Sequence, residues 1–247
     1  MTPVRLRPGI LSLSGTLRRR LLALVALGAL AGCATPPEPR PGAPAAAVAE
    51  PPNLWVLKQE LIAYADSGDY ERGLAAVAQE ARRWIEHRAA AGPAPAGAGR
   101  LAIVLDLDET LLSNLPHMRR QDFGYVPSAW DAWVAESSAP AIKPVADVYR
   151  AARRHGVAVF YLTGRRAHQQ GVTEENLRRL GLADHAGLHC KPDDFAGTTE
   201  SFKTGVRRRL TAEGWIIIAN IGDQHSDLTG GHAERIFKLP NPYYVTK

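Results

Sequence analysis

Apolar positions recur at helical spacing in two stretches, Leu54, Leu57, Leu61 and Tyr64, then Leu74, Val77, Ala81, Trp84 and Ile85, with Ser67-Gly68-Asp69 between them. This pattern predicts two amphipathic helices over 54–90, the first capped by Asn53. Beyond a Gly/Pro/Ala stretch at 91–99 the pattern changes. Near-continuous apolar runs at 101–107, 157–162, around Leu188, at 215–221 and at 235–238 read as strands. Amphipathic stretches at 144–155, 166–180 and 200–213 read as the helices between them. Strands apolar on both faces and alternating with helices predict an α/β fold with a doubly wound parallel sheet.

The N-terminal 53 residues have a different character. An arginine-rich start is followed by an apolar run at 21–32 and then by small residues before Cys33. Twelve residues rising about 1.5 Å each fall short of a hydrocarbon core of roughly 30 Å, so the pattern predicts a signal peptide over 1–32 and not a membrane span. Leu30-Ala31-Gly32-Cys33 resembles the lipobox of bacterial lipoproteins, which implies cleavage before Cys33 and acylation of that residue. Ala34 is not the aspartate that resembles an inner-membrane retention signal, so an outer-membrane or periplasmic-face address on the cell envelope is expected. Residues 34–53 carry seven prolines among many alanines and read as an extended tether.

The formal charge of +5 is explained by the five arginines of the leader, and the rest of the chain is balanced between acids and bases. Composition therefore makes no case for a nucleic-acid polymer as partner. Past Cys33 the one remaining cysteine is Cys190, so the mature domain can form no internal disulfide, and this thiol is expected to pack as a small apolar group at a strand end.

In an open α/β sheet, ligands bind beyond the carboxyl ends of strands. Three of the expected strands end in polar runs: Asp106-Leu107-Asp108-Glu109-Thr110, Thr163-Gly164-Arg165, and Gly222-Asp223-Gln224-His225-Ser226-Asp227. Between the second and third, Ser201-Phe202-Lys203 opens a basic helix. These four segments, in this order, resemble the haloacid-dehalogenase-like (HAD-like) phosphohydrolases, whose first motif is DxDxT. With Phe237-Lys238-Leu239-Pro240-Asn241-Pro242-Tyr243-Tyr244, the last run also resembles the plant acid phosphatase and vegetative storage protein family and its bacterial relatives, the class C lipoprotein acid phosphatases. The resemblance spans most of 54–247 and implies a HAD-like Rossmannoid domain with N-terminal helices and a small helical cap at 114–143. His225 stands where the plant proteins usually carry tryptophan, a departure that bears on substrate preference.

The residue types suit phosphate-ester hydrolysis, which needs an oriented nucleophile, an acid for the leaving group and positive charge for the phosphoryl oxygens. Asp106 is the candidate nucleophile, forming an aspartyl-phosphate. Asp108, on the same side if the strand runs that far, is the candidate acid and base. A second aspartate there favours a phosphatase over the related dehalogenases and ATPases. Thr163 and Gly164 are candidates to bind the phosphoryl group, and Lys203 to neutralise it. Asp106, the Asp108 carbonyl and Asp223 are the expected ligands of Mg²⁺, with Asp227 orienting Lys203 or a metal-bound water. Arg207, Arg208 and Arg209 read as a solvated basic face, and His225 as a loop residue outside the chemistry.

Phe123, Tyr125, Trp130 and Trp133 concentrate aromatic side chains in the cap segment. The simpler expectation is that they form the cap's own core. The alternative is that Trp130 or Trp133 stacks on a substrate's aromatic leaving group, which would make nucleoside monophosphates substrates. The expected function is thus a membrane-tethered, Mg²⁺-dependent acid phosphatase acting on small phosphomonoesters. The rivals are a non-catalytic binding or storage lipoprotein of the same fold, and a phosphorylated signalling receiver.

Overall fold

The computed structural model describes residues 50–92 and 99–246. The leader, Cys33 and most of the tether lie outside the described residues. Helix α1 (Leu54–Asp66) starts where the pattern places it, Asn53 Oδ1 accepting the Trp55 amide at 2.9 Å. Gly68 then takes φ +78°, which a glycine tolerates and which turns the chain into α2 (Asp69–Ala90). Among the described residues, no helix is long and apolar enough to cross a membrane.

Five parallel strands follow: β1 (Arg100–Leu105), β2 (Ala158–Arg166), β3 (Gly187–Lys191), β4 (Trp215–Gly222) and β5 (Ile236–Lys238), in the spatial order β3-β2-β1-β4-β5. Helices α3 (Leu115–Arg120), α4 (Pro127–Ala135) and α5 (Lys143–Arg154) lie between β1 and β2, α6 (Gln170–Arg179) between β2 and β3, α7 (Thr199–Ala212) between β3 and β4, and the single turn α8 (His225–Leu228) between β4 and β5. Side-chain alternation along the strands serves two cores. Ile103 and Leu105 of β1, with Val159 and Tyr161 of β2, join Ala81 and Ile85 of α2, Val145 and Val148 of α5 and Leu177 of α6 on one face. Ala102, Val104, Phe160 and Leu162 meet Phe202, Val206 and Leu210 of α7 on the other. Each fully buried Leu or Ile contributes about 1.5–3 kcal/mol, so both coverings are held by burial on a sheet that has no solvated face. The doubly wound parallel sheet expected from the sequence is the fold observed.

Two differences have physical causes. Strand β2 runs four residues past the apolar run, because Arg166 still pairs with Lys191 of β3, and α6 begins only after a 3-10 turn at Ala167–Gln169. The aromatics of 114–143 form no core of their own: Trp133 and Val134 are buried in the same cluster as Ile103 and Leu105, and Phe123 and Trp130 pack against it. A segment this short buries more by lying on the main body than by closing on itself.

A shift in the β1–β4 register leaves Ile218 as an extra residue, and Trp84 of α2 donates its indole N–H to the Ile218 carbonyl at 2.7 Å. Strand order reverses between β1 and β4, so the ends of these two strands flank the topological switch point, where open α/β sheets bind ligands.

Candidate active site

Asp106 follows the last residue of β1 and remains aligned with the sheet, its amide donating to the Ile221 carbonyl of β4 at 3.0 Å. Beyond it the strand ends. The Thr110, Leu111 and Leu112 amides all turn back to the Leu107 carbonyl, and Glu109 takes φ +55°. Asp108 is therefore placed by a tight loop and not by the alternation of a continuing strand, which corrects the reason expected for its position.

Lys203, on α7, donates to Asp106 Oδ1 at 2.5 Å and to Asp227 Oδ1 at 2.6 Å, and all three side chains are buried. Burial alone would lower the lysine's pKa, but the two carboxylates outweigh it and raise it, so the ammonium stays charged. Asp227 Oδ1 thus meets Lys203, the partner expected of it, and its Oδ2 accepts the Gln224 amide at 2.8 Å at the start of α8. It fits because residue 222 is glycine: a Cβ there would lie 2.5 Å from both Asp227 Cβ and Oδ2. Arg207 departs from the solvated face expected of it. It is fully buried and donates to the carbonyls of Asp227, Thr229 and Gly231, anchoring the loop after β4, while Arg208 and Arg209 are exposed.

Asp223, at the end of β4, accepts from Thr110 Oγ1 at 3.1 Å, Gln224 Nε2 at 2.5 Å and Asn241 Nδ2 at 2.7 Å. Asp106, Asp223 and Asp227 each present an oxygen within 4.8 Å of the others'. Burial drives the Asp106 and Asp223 carboxyls above the usual range against the opposing charge of Lys203, and the Asp227 charge, joined for Asp106 by Asp223, adds to it. An all-oxygen set of buried, mutually repelling carboxylates fits a hard divalent cation. Asp227, expected to act behind the ligands, lies within the same cluster, with both its oxygens already accepting hydrogen bonds from Lys203 and the Gln224 amide. The Asp108 side chain is engaged elsewhere, which leaves its carbonyl for the ligand role first expected.

The Asp108 carboxylate is gripped by Arg165, with Nε at 3.1 Å from both oxygens and a terminal nitrogen at 2.7 Å from Oδ1, and Asn114 Nδ2 donates to Oδ1 at 2.9 Å. Burial pushes this carboxyl up, but the Arg165 charge and hydrogen bonds prevail and hold it below the usual range. Neighbouring Glu109 accepts from the Asn114 amide at 2.5 Å and from Tyr244 Oη at 2.8 Å, and burial, with the Asp108 charge beside it, pushes it up to about 8.

A cavity of about 600 Å³ opens over these groups, lined by Asp106, Asp108, Lys203, Asp223 and Gly164 and by the aromatic side chains of Trp130, Tyr125 and Tyr244. Of the two expected phosphoryl-binding residues, Gly164 lines it. Thr163 lies behind, fully buried, its Oγ1 accepting the Arg165 amide at 3.1 Å. Of the expected stacking pair, Trp130 lines the cavity, whereas Trp133 is 5% exposed and donates its indole N–H to Asn114 Oδ1 at 2.8 Å. Trp133 is thus turned into the protein, which removes it as a stacking surface. His225 is exposed and outside the lining.

Sequence alone gives no role to Arg165, Glu109 or Asn241 and does not single out Asn114. Arg165 and Glu109 directly adjoin motif residues, the one available signal. Asn241 and Tyr244 arrive from the far end of the chain, where nothing in the sequence says what they face.

The family model of the HAD superfamily, subfamily IIIB (acid phosphatase), matches residues 49–247. Acid phosphatase 1 of Solanum lycopersicum is 39% identical over 151 residues, covering 59% of this chain and 59% of that protein. Vegetative storage protein 1 of Arabidopsis thaliana is 34% identical over 147 residues, covering 58% and 54%. The chain thus spans somewhat over half the length of these curated relatives. The solved structure of the class C acid phosphatase from Bacillus anthracis matches with a TM-score of 0.60 at 27% identity, over 77% of this chain and 86% of that one.

Proposed function

The chain belongs to the acid phosphatases of HAD subfamily IIIB, and from that premise we propose that it is a Mg²⁺-dependent phosphomonoesterase working through an aspartyl-phosphate on Asp106. One observation carries this reading: a buried carboxylate at a strand end, held 2.5 Å from a buried lysine and crowded by two further carboxylates. A storage protein has no need of such a costly cluster, since buried charges destabilise unless paired.

With Lys203 engaging Asp106 Oδ1, the second oxygen attacks phosphorus while the ester P–O bond breaks. Asp108 gives its proton to the departing alkoxide. An anionic ester beside Asp108 would raise that carboxyl's proton affinity against the opposing pull of Arg165. Asp108, now a carboxylate, takes a proton from water as the water oxygen attacks phosphorus, and phosphate leaves with Asp106 regenerated. Asp106, Asp223 and Asp227, with the Asp108 carbonyl, would hold Mg²⁺, which would supply positive charge to stabilise the phosphoryl oxygens.

Trp130 on the cavity wall supports nucleoside monophosphates as substrates, since base–aromatic stacking contributes about 1–3 kcal/mol. The lipobox-like run ending in Cys33 supports attachment to a lipid bilayer of the bacterial envelope. The test is phosphate release by the full chain from p-nitrophenyl phosphate and a nucleotide panel, with Mg²⁺ or EDTA. Metal-dependent release abolished by Asp106→Asn is expected. Folded protein that releases no phosphate from acid to neutral pH would overturn the reading.

A further inference from the structure

Asp108 lies outside the sheet's hydrogen-bond ladder, so side-chain contacts must set the direction of its carboxyl group. On one side is Arg165. On the other is Asn114, 1% exposed, whose carboxamide makes three contacts: Oδ1 accepts from Trp133 Nε1 at 2.8 Å, and Nδ2 donates to Asp108 Oδ1 at 2.9 Å and to Glu109 Oε2 at 3.1 Å. An indole nitrogen is a donor only, so it can face only the oxygen end of the amide. Trp133 therefore settles which way Asn114 points and directs both amide protons at the two carboxylates. Reversed, Asn114 would set its oxygen against the Asp108 carboxylate and its NH₂ against the indole donor. The indole is itself held, stacked on His117 with ring centroids 5.7 Å apart and covered by the Arg120 guanidinium at 4.9 Å.

We propose that Trp133 and Asn114 are positioning residues that aim Asp108 at the leaving-group oxygen, so that the 114–143 segment supports the acid step as well as walling the cavity. This deepens the phosphatase reading and rests on it. Proton donation matters most when the leaving group is a poor one. A misaimed Asp108 should therefore cost little on p-nitrophenyl phosphate, whose phenolate leaves unaided, and much on glycerol 2-phosphate, whose alkoxide does not. A purely structural role would depress both substrates alike.

The experiment measures kcat/KM, which reports the first chemical step, on both esters with Mg²⁺ for the wild type, Asn114→Ala, Trp133→Phe and the double variant. Trp84→Phe serves as control, because it deletes another indole hydrogen bond, to the Ile218 carbonyl, away from the cavity. Asp108→Asn sets the size of a full loss of the acid. The expected result is that Asn114→Ala and Trp133→Phe each lower the glycerol 2-phosphate value about ten- to a hundredfold more than the p-nitrophenyl phosphate value, in the direction of Asp108→Asn. The double variant should be no worse than the worse single one, and Trp84→Phe should leave the ratio alone. An unchanged ratio in whichever of the two single variants folds overturns the proposal, as does a ratio unchanged by Asp108→Asn. A folded wild type inactive on both esters would instead reject the phosphatase reading beneath it.

Discussion

At Gly222 the absence of one carbon lets Asp227 reach Lys203. Gly222→Ala would force Asp227 aside, and since a misplacement of about 1 Å can cost on the order of 10²-fold in rate, kcat should fall by that order, with stability reduced by about 1–3 kcal/mol from overpacking. Steady-state kinetics and a melting curve check both. The same scale shows what could be read from the sequence alone. Asp106 and Asp223 were legible because strand ends face the ligand side of any open α/β sheet, and Lys203, a residue type more often solvated on a helix, because it completes the motif set. Arg207 was not: its neighbours Arg208 and Arg209 are exposed, and the helical position that buries it is known only once α7 lies against the loop after β4. Cys190 is half-buried, and burial pushes its thiol up to about 11, so alkylation by iodoacetamide near pH 8 should be much slower than for a free thiol.

Among the elements, the sheet and its covering helices were legible because a central parallel strand must be apolar on both faces, a pattern few other structures demand. What lay hidden were element ends and long-range closures. Strand β2 extends through Thr163-Gly164-Arg165-Arg166, polar residues that composition assigns to a turn, because β3 is there to pair with Arg166. The segment after β5 folds back over the site: Asn241 holds Asp223, Tyr243 stacks on Phe123 at 5.8 Å, and Tyr244 reaches Glu109. The run is recognisable as a motif, but nothing local says what it faces, since its contacts lie far away in the chain. Tyr244→Phe removes one hydrogen bond to a buried carboxyl and should cost about 1–3 kcal/mol. In a double-mutant cycle with Glu109→Gln the two losses should fall short of additive, whereas full additivity would deny that the tail is tied to the loop at this point.

For the molecule as a whole, burial holds His117 and His189 below the ordinary histidine value of 6.5; for His189, Arg209 and His185 add to the effect and Glu213 opposes it. Unfolding lets both rings take up protons that the folded state refuses. Their contribution to stability is therefore complete above pH 6.5 and is lost as the pH falls below it. The buried carboxyls of Glu109, Asp106 and Asp223, whose affinity for protons is raised, act in the opposite sense, so the histidine effect is read as a difference: between neutral and acid pH, His189→Phe should gain in melting temperature relative to the wild type. Mg²⁺ at a hundredfold excess over its Kd should stabilise the fold by about 2.7 kcal/mol, and Asp223→Asn should remove most of that gain. The central claim, that Asp106 carries the phosphoryl group, is tested most directly in Asp108→Asn, mixed with p-nitrophenyl phosphate and Mg²⁺ and quenched in acid. That variant keeps the nucleophile and a leaving group that needs no acid, but lacks the base for the second step. A stoichiometric burst of p-nitrophenol, with one phosphoryl group on the peptide containing Asp106, is the predicted result. Wild-type turnover alongside a variant that shows neither burst nor phosphopeptide, or a phosphoryl group on another residue, would contradict it.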